Sequence, residues 1–218
     1  MPTEAAPPRK RGPVPKLSAD KIADAVLAVG FSEASVTAVS QHLGVTHAAL
    51  YRHIGDRDGM LRAAIVRLLD AWDWPDLADD WREVLWREAR SWWALCEANH
   101  GFVAALGIAP FMPLPMSRRT LKVAAHLQTF GLSANDSLMV VDMVTDMVHD
   151  IFHRSQQRRG VIEHALHMAP EEAAKHLEGV GDDMVEVILG RLIGDPWPWF
   201  ASKLELVLDG LTTRIPPG

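Results

Sequence analysis

The feature that most constrains this chain is a pair of short helical stretches joined by one glycine near the N-terminus. From Val36 to Leu43 the apolar residues Val39 and Leu43 fall on one side of a helix, Ser35 precedes it as an N-cap, and Gly44 closes it. After Val45 a second run, Thr46 to His53, repeats the pattern around Leu50 and stops near Gly55. Two helices so close in sequence must cross steeply. The turn between them needs a residue that tolerates left-handed backbone, and Gly44 is that residue. An earlier helix, capped by Ser18 and ended by Gly30, offers Ile22, Ala25, Val26 and Val29 as the apolar face on which both can lean. Asp56 then caps a fourth helix, with Met60, Leu61, Ala64, Ile65, Leu68 and Leu69 on its apolar side and Pro75 beyond its end. This arrangement leaves the outer face of the Thr46–His53 helix open to solvent.

Beyond Pro75 no stretch alternates as a strand does. Helical periodicity returns at about Trp81–Ala98, Ser117–Phe130, Ser133–Arg158 and Trp197–Thr213. A further helix is expected from Pro170, with Glu171 and Glu172 in its first turn, breaking around Gly179–Gly181 and resuming to Leu192. The fold class is therefore all-α. In 218 residues the boundaries predict an arm over 1–16, a helix-turn-helix head over 17–62 and a larger helical domain over 63–218. The Pro/Ala-rich arm is expected to be disordered and carries Arg9, Lys10, Arg11 and Lys16. Charge divides along the same boundary. Residues 1–62 hold eight Lys/Arg against six acids, net +2, while the rest holds fourteen against twenty-two, net −8. A basic head on an acidic body points to a polyanion as the partner of the head. One cysteine, Cys96, excludes a disulfide scaffold, and no stretch reads as a signal core or membrane span, so a cytoplasmic protein without membrane attachment is expected.

The run from Val36 to Leu61 (VTAVSQHLGVTHAALYRHIGDRDGML) closely resembles the DNA-binding signature of the tetracycline-repressor (TetR) family, over roughly residues 17–65. The last helix, with Leu204 to Leu211 (LELVLDGL), also resembles that of many members. The resemblance implies a homodimeric, DNA-binding transcriptional regulator, expected to be a repressor. It would bind a palindromic operator and be released by a small effector. It places Thr46, His47, Ala48 and Arg52 at the major groove, with Thr37 supporting from the preceding helix and Tyr51, His53 and Arg57 placed for phosphates. Ala48 offers only apolar contact, for example to a thymine methyl, and Arg52 faces base or phosphate. Arg9, Lys10, Arg11 and Lys16 are expected to meet phosphates or the minor groove. No cofactor is implied, and no catalytic or metal-binding residue.

The middle of the chain carries the expectation of an effector site. Six of the eight tryptophans (Trp72, Trp74, Trp81, Trp86, Trp92 and Trp93) fall within 22 positions. They lead into the uncharged, proline-broken segment from Gly101 to Met116. Such a segment suits the lining of an apolar cavity. Trp92, Phe102, Phe111, Met112, Met116 and Met143 are the expected lining of a site for a largely apolar ligand, with Asp146 and His149 orienting one polar group. The Ser133–Arg158 and Trp197–Thr213 helices are expected to form a four-helix interface with a second copy, because the former is apolar over more than half its circumference. Two alternatives stand beside this. His149-Asp150-Ile151-Phe152-His153 resembles the His-Glu-x-x-His metal motif with Asp for Glu, which would make an all-α metal-dependent enzyme. The other is a DNA-binding protein that answers to no ligand.

Overall fold

The computed structural model describes residues 17–108, 112–167 and 178–215. The head begins with α1 (Ala19–Val29), α2 (Val36–Leu43) and α3 (His47–Ile54), followed by the longer α4 (Arg57–Ala71). Each starts on a side chain that satisfies an orphan backbone N–H. Ser18 Oγ accepts from Lys21 N at 3.3 Å, Ser35 Oγ from Ala38 N at 3.1 Å, Thr46 Oγ1 from Ala49 N at 3.2 Å and Asp56 Oδ1 from Gly59 N at 2.6 Å. Gly44 takes φ +66° and ψ +33°, and its N–H and that of Val45 return to Gln41 O and Ser40 O. Only glycine adopts that backbone without strain. The tight turn between α2 and α3 therefore depends on it.

α1 and α4 pack on each other and form the core of the head. Ile22, Ala25 and Val26 from one and Met60, Leu61, Ala64 and Ile65 from the other are buried, together with Val39 of α2 and Leu50 of α3. Arg67 pairs with Asp24 at 2.9 Å on the outside of the same contact.

The larger part is built from α5 (Trp81–Ala98), α6 (Phe102–Ile108), α7 (Leu114–Gln128), α8 (Ala134–His167), α9 (Asp182–Ile193) and α10 (Pro196–Thr212). No strand occurs among the described residues. Nor is any described helix long and apolar enough to cross a membrane. α8 is the central element, packed by α5, α6, α7 and α10, and α4 reaches from the head to touch α6 and α7.

Three boundaries differ from the sequence expectation, each for a local reason. α7 starts at Leu114 rather than Ser117 because Pro115 lies in its first turn, where a missing N–H costs nothing. α8 continues past Arg158 to His167, since the lone Gly160 inside it costs only about 1 kcal/mol and no proline intervenes. The segment after Gly101 contains α6, a helix of seven residues without one charged side chain to mark an outer face. The helix expected from Pro170 begins outside the described residues; its expected continuation after the Gly179–Gly181 break is α9.

Candidate functional site

α3 is held by one side and open on the other. Leu50 is fully buried beneath it, and Ile54 packs on the same core. Thr46, His47, Ala48, Tyr51, Arg52 and His53 are all exposed, as are Thr37 at the start of α2 and Arg57 at the start of α4. Tyr51 is the large aromatic of this face, 45% exposed. Thr46 Oγ1 accepts the cap bond of α3, which leaves its O–H and its methyl for a partner. Among the described residues, Arg52 and Arg57 have no ion-pair partner, whereas Arg62 on the next turn reaches Asp56 at 3.8 Å. All eight expected positions between Thr37 and Arg57 are thus exposed, with Ala48, Tyr51 and Arg52 on the side of α3 away from Leu50. Arg9, Lys10, Arg11 and Lys16 lie outside the described residues.

The expected effector residues divide. Trp92 and Phe102 are buried and both face His149, with ring centroids 5.2 Å and 6.4 Å from the imidazole. Trp74 meets Trp92 edge-on at 4.9 Å. Met116 is partly buried against the same core. Met112 instead lies on an open groove of about 500 Å³ between α7 and α8, beside Leu121, Leu138 and Asp142. Met143 lies on a second open groove of about 230 Å³ between α8 and α10, with Met139, Leu206 and Leu211. Asp146 is exposed on α8, its carboxyl raised above the usual range by partial burial and by Asp142 one turn away. Phe111 lies outside the described residues.

Several functional contacts have no signature in the sequence. Glu88 of α5 and Arg119 of α7 form a buried ion pair. Arg119 Nε and Nη2 donate to Glu88 Oε2 at 2.9 and 2.6 Å, and Nη2 also donates to Pro75 O at 3.1 Å. Trp92 Nε1 donates to the other carboxylate oxygen at 3.1 Å, and the guanidinium lies over the Trp74 ring at 5.2 Å. Both carboxylate oxygens of Glu88 and the Nε and Nη2 groups of Arg119 are thus hydrogen-bonded within the protein. At the junction with the head, Phe31 of the α1–α2 turn meets Phe102 edge-to-face at 5.8 Å. Next to it Gly101 has φ +84°, and a Cβ there would lie 2.6 Å from Ser32 Oγ and 2.7 Å from Ser32 N. Backbone from the two parts of the molecule meets at this point with no space between. A second aromatic group, Trp93, Phe152, Trp197 and Phe200, fills the contact of α5 and α8 with α10 and is core. Cys96 is buried, its thiol pushed up to about 12 by desolvation, which leaves it unreactive at neutral pH.

The two histidines of the metal-like motif have different surroundings. His149 Nε2 is buried with no hydrogen-bond partner, while His153 is exposed. No group of three His, Cys, Asp or Glu side chains able to hold a metal occurs among the described residues. Burial pushes His149 down to about 4 from an ordinary 6.5. Below pH 6.5 the unfolded chain therefore takes up a proton that the folded one refuses, and stability falls as pH drops from about 6.5 towards 4. Between pH 7 and pH 4.5 this group should remove about 2 kcal/mol. Urea unfolding of wild type and His149→Phe at both pH values measures the difference; equal pH dependence in the two proteins would show that His149 is not held neutral.

Comparison with solved structures gives this geometry a context. Apo ActR from Streptomyces coelicolor superposes with a TM-score of 0.70 at 21% identity, over 89% of this chain and 96% of that one. The chain has the TetR-family fold. ActR in complex with actinorhodin matches at TM-score 0.67 and 20% identity, over 91% of this chain and 97% of ActR. SCO7222, a TetR from the same organism, matches at 0.63 and 18%, over 92% of this chain and all of that one. No protein-family model and no curated protein matches the sequence. Within the TetR-family fold, α2, the Gly44 turn and α3 are the helix-turn-helix, and α5 to α8 with α10 form the body on which the head is mounted.

Proposed function

We propose that this protein is a ligand-responsive transcriptional regulator, acting as a repressor, that reads a palindromic DNA operator as a homodimer and leaves it when a small, largely apolar molecule binds. The observation that carries the proposal is the outer face of α3. It presents His47, Ala48, Tyr51 and Arg52, backed by Arg57, on a helix locked from below by Leu50 and set at its angle by Gly44. A helix presented in this way suits the major groove, where His47, Ala48 and Arg52 meet base edges and Tyr51, His53 and Arg57 meet phosphates. The basic arm, with Arg9, Lys10, Arg11 and Lys16, adds phosphate or minor-groove contacts.

Two copies pair through α8 and α10. Met139, Met143 and Leu206 are exposed there, Leu206 at 75%, around the groove that a second copy would close. The effector lies inside the body near Trp92, Phe102 and His149, and the complex of ActR with actinorhodin supports a fold that takes a ligand. From that site two routes lead to the head: α4, whose end is tied to α5 by Trp72 Nε1 donating to Ser91 Oγ at 3.0 Å, and the Phe102–Phe31 contact. The two recognition helices must enter grooves about 34–36 Å apart, so a shift of a few ångströms at either route is enough to lose DNA. An enzyme centred on His149 and His153 is less well supported, because one histidine is buried among aromatic rings and the other is in solvent.

Selection of binders from a randomised duplex pool tests the proposal. It should return a two-fold symmetric site with half-sites about one helical turn apart. A pool that stays random, or a single asymmetric half-site, would contradict it.

A further inference from the structure

Among the described residues three buried polar atoms have no partner, Ser40 Oγ, Ser137 Oγ and His149 Nε2, and the last stands against aromatic rings. Around it the other interior polar groups are paired. Trp92 Nε1 and Arg119 are taken by Glu88, Trp74 Nε1 donates to Leu69 O, and Thr145 Oγ1 donates to Val141 O. His149 Nε2 has no partner and no solvent. A buried nitrogen left unpaired is a standing cost that a bound molecule can remove.

We infer that His149 Nε2 is the polar anchor of a site for an uncharged, hydroxyl-bearing aromatic molecule seated among Trp92, Phe102 and Trp74. The inference rests on the effector reading for its location and adds the chemistry of the occupant. The ring character follows from the surroundings. Trp92 stands at 89° to the imidazole and Phe102 at 66°, so the imidazole is bordered by aromatic rings, which another ring packs against best. The absence of charge follows from the ion pair. Arg119, the buried cation, is consumed by Glu88 and Pro75 O, and the charged groups on the same stretch of α8, Asp142 and Asp146, are acids. An anionic ligand would meet a cation already neutralised by Glu88, and a cationic one would lose its water to meet a carboxylate already neutralised by Arg119. The hydroxyl follows from the imidazole itself. Burial keeps the ring neutral at pH 7, so Nε2 is an N–H donor in one tautomer and a lone-pair acceptor in the other. A hydroxyl satisfies either, whereas a carbonyl can only accept. Phe102 separates this anchor from Phe31, so an occupant that moves Phe102 acts on the head without an intermediary.

Calorimetric titration of the full-length protein with naphthalene, 2-naphthol and 2-naphthoate tests the inference. 2-Naphthol should bind at least tenfold more tightly than naphthalene, and 2-naphthoate more weakly than either. His149→Phe should bind naphthalene as wild type does and lose the tenfold preference. In wild type the ¹⁵N resonance of His149 Nε2 should move on adding 2-naphthol and not on adding naphthalene, a readout that does not depend on the variant folding. No binding by any of the three, equal binding of naphthol and naphthalene, or an unmoved resonance would overturn the site. If 2-naphthol binds through His149 but does not loosen the protein from its selected DNA, the site stands and the effector reading fails. If naphthalene and 2-naphthol release DNA equally in wild type and His149→Phe, the effector reading stands and the anchor fails.

Discussion

Arg119→Met should destabilise the protein by about 3–5 kcal/mol, the largest effect expected of any single polar substitution here. The guanidinium is 6% exposed and its carboxylate partner Glu88 only 1%. Removing the cation leaves a charge in the interior with a single neutral donor, Trp92 Nε1, and strips Pro75 O of its hydrogen bond. For a chain of this length that corresponds to a fall in Tm on the order of 10 °C. The size of the loss comes from the abandoned charge rather than from the attraction lost. Glu88→Gln/Arg119→Met should therefore recover more than half of it, because glutamine still accepts from Trp92 and carries no charge. Thermal and urea unfolding of the two variants decide the matter. A single-variant loss under about 1 kcal/mol, or a double variant worse than the single, would mean that the pair is not dry.

Phe102→Ala should cost about 3–5 kcal/mol as well, for a different reason. The ring is fully buried, and truncation opens a cavity between Phe31, His149 and the start of α6. Its partner lies in the head, so the loss should be shared with Phe31→Ala. The double variant should be less destabilised than the sum of the two by about 0.5–1.5 kcal/mol, the coupling typical of an edge-to-face pair. Additivity within about 0.3 kcal/mol would show that the head and the body do not communicate through these rings.

The head was legible because its determinants are local. Ser18, Ser35, Thr46 and Asp56 are caps recognisable from the residue type and the helix that follows, and Gly44 announces a turn that only glycine makes cheaply. The outer face of α3 then follows by phase from Leu50. In the body, the tryptophan cluster marked an aromatic interior, but not which rings would meet. Trp92 turns to His149 while its neighbour Trp93 joins Trp197 and Phe200, a division set by helix phase and by partners far along the chain. Arg118 and Arg119 are adjacent and alike in sequence. One reaches Asp70 at the surface at 3.9 Å and the other enters the core, because only the latter faces Glu88. The contacts of Phe31 with Phe102 and of Ser32 with Gly101 join the head to α6, an uncharged helix too short for its period to show. Met112 and Met143 illustrate the limit of composition. Both suit an apolar lining, and they lie on two different open grooves.

The central claim is that α3 reads DNA. It is tested most directly by titrating the selected duplex with wild type, His47→Ala and Tyr51→Ala in a gel-shift assay at fixed salt. Both side chains are exposed and neither belongs to the buried core, so the variants should fold as wild type does. Each should bind the duplex more weakly by about 1–3 kcal/mol, roughly 5- to 150-fold in affinity. Affinity unchanged in both variants would remove α3 from the interface and contradict the account.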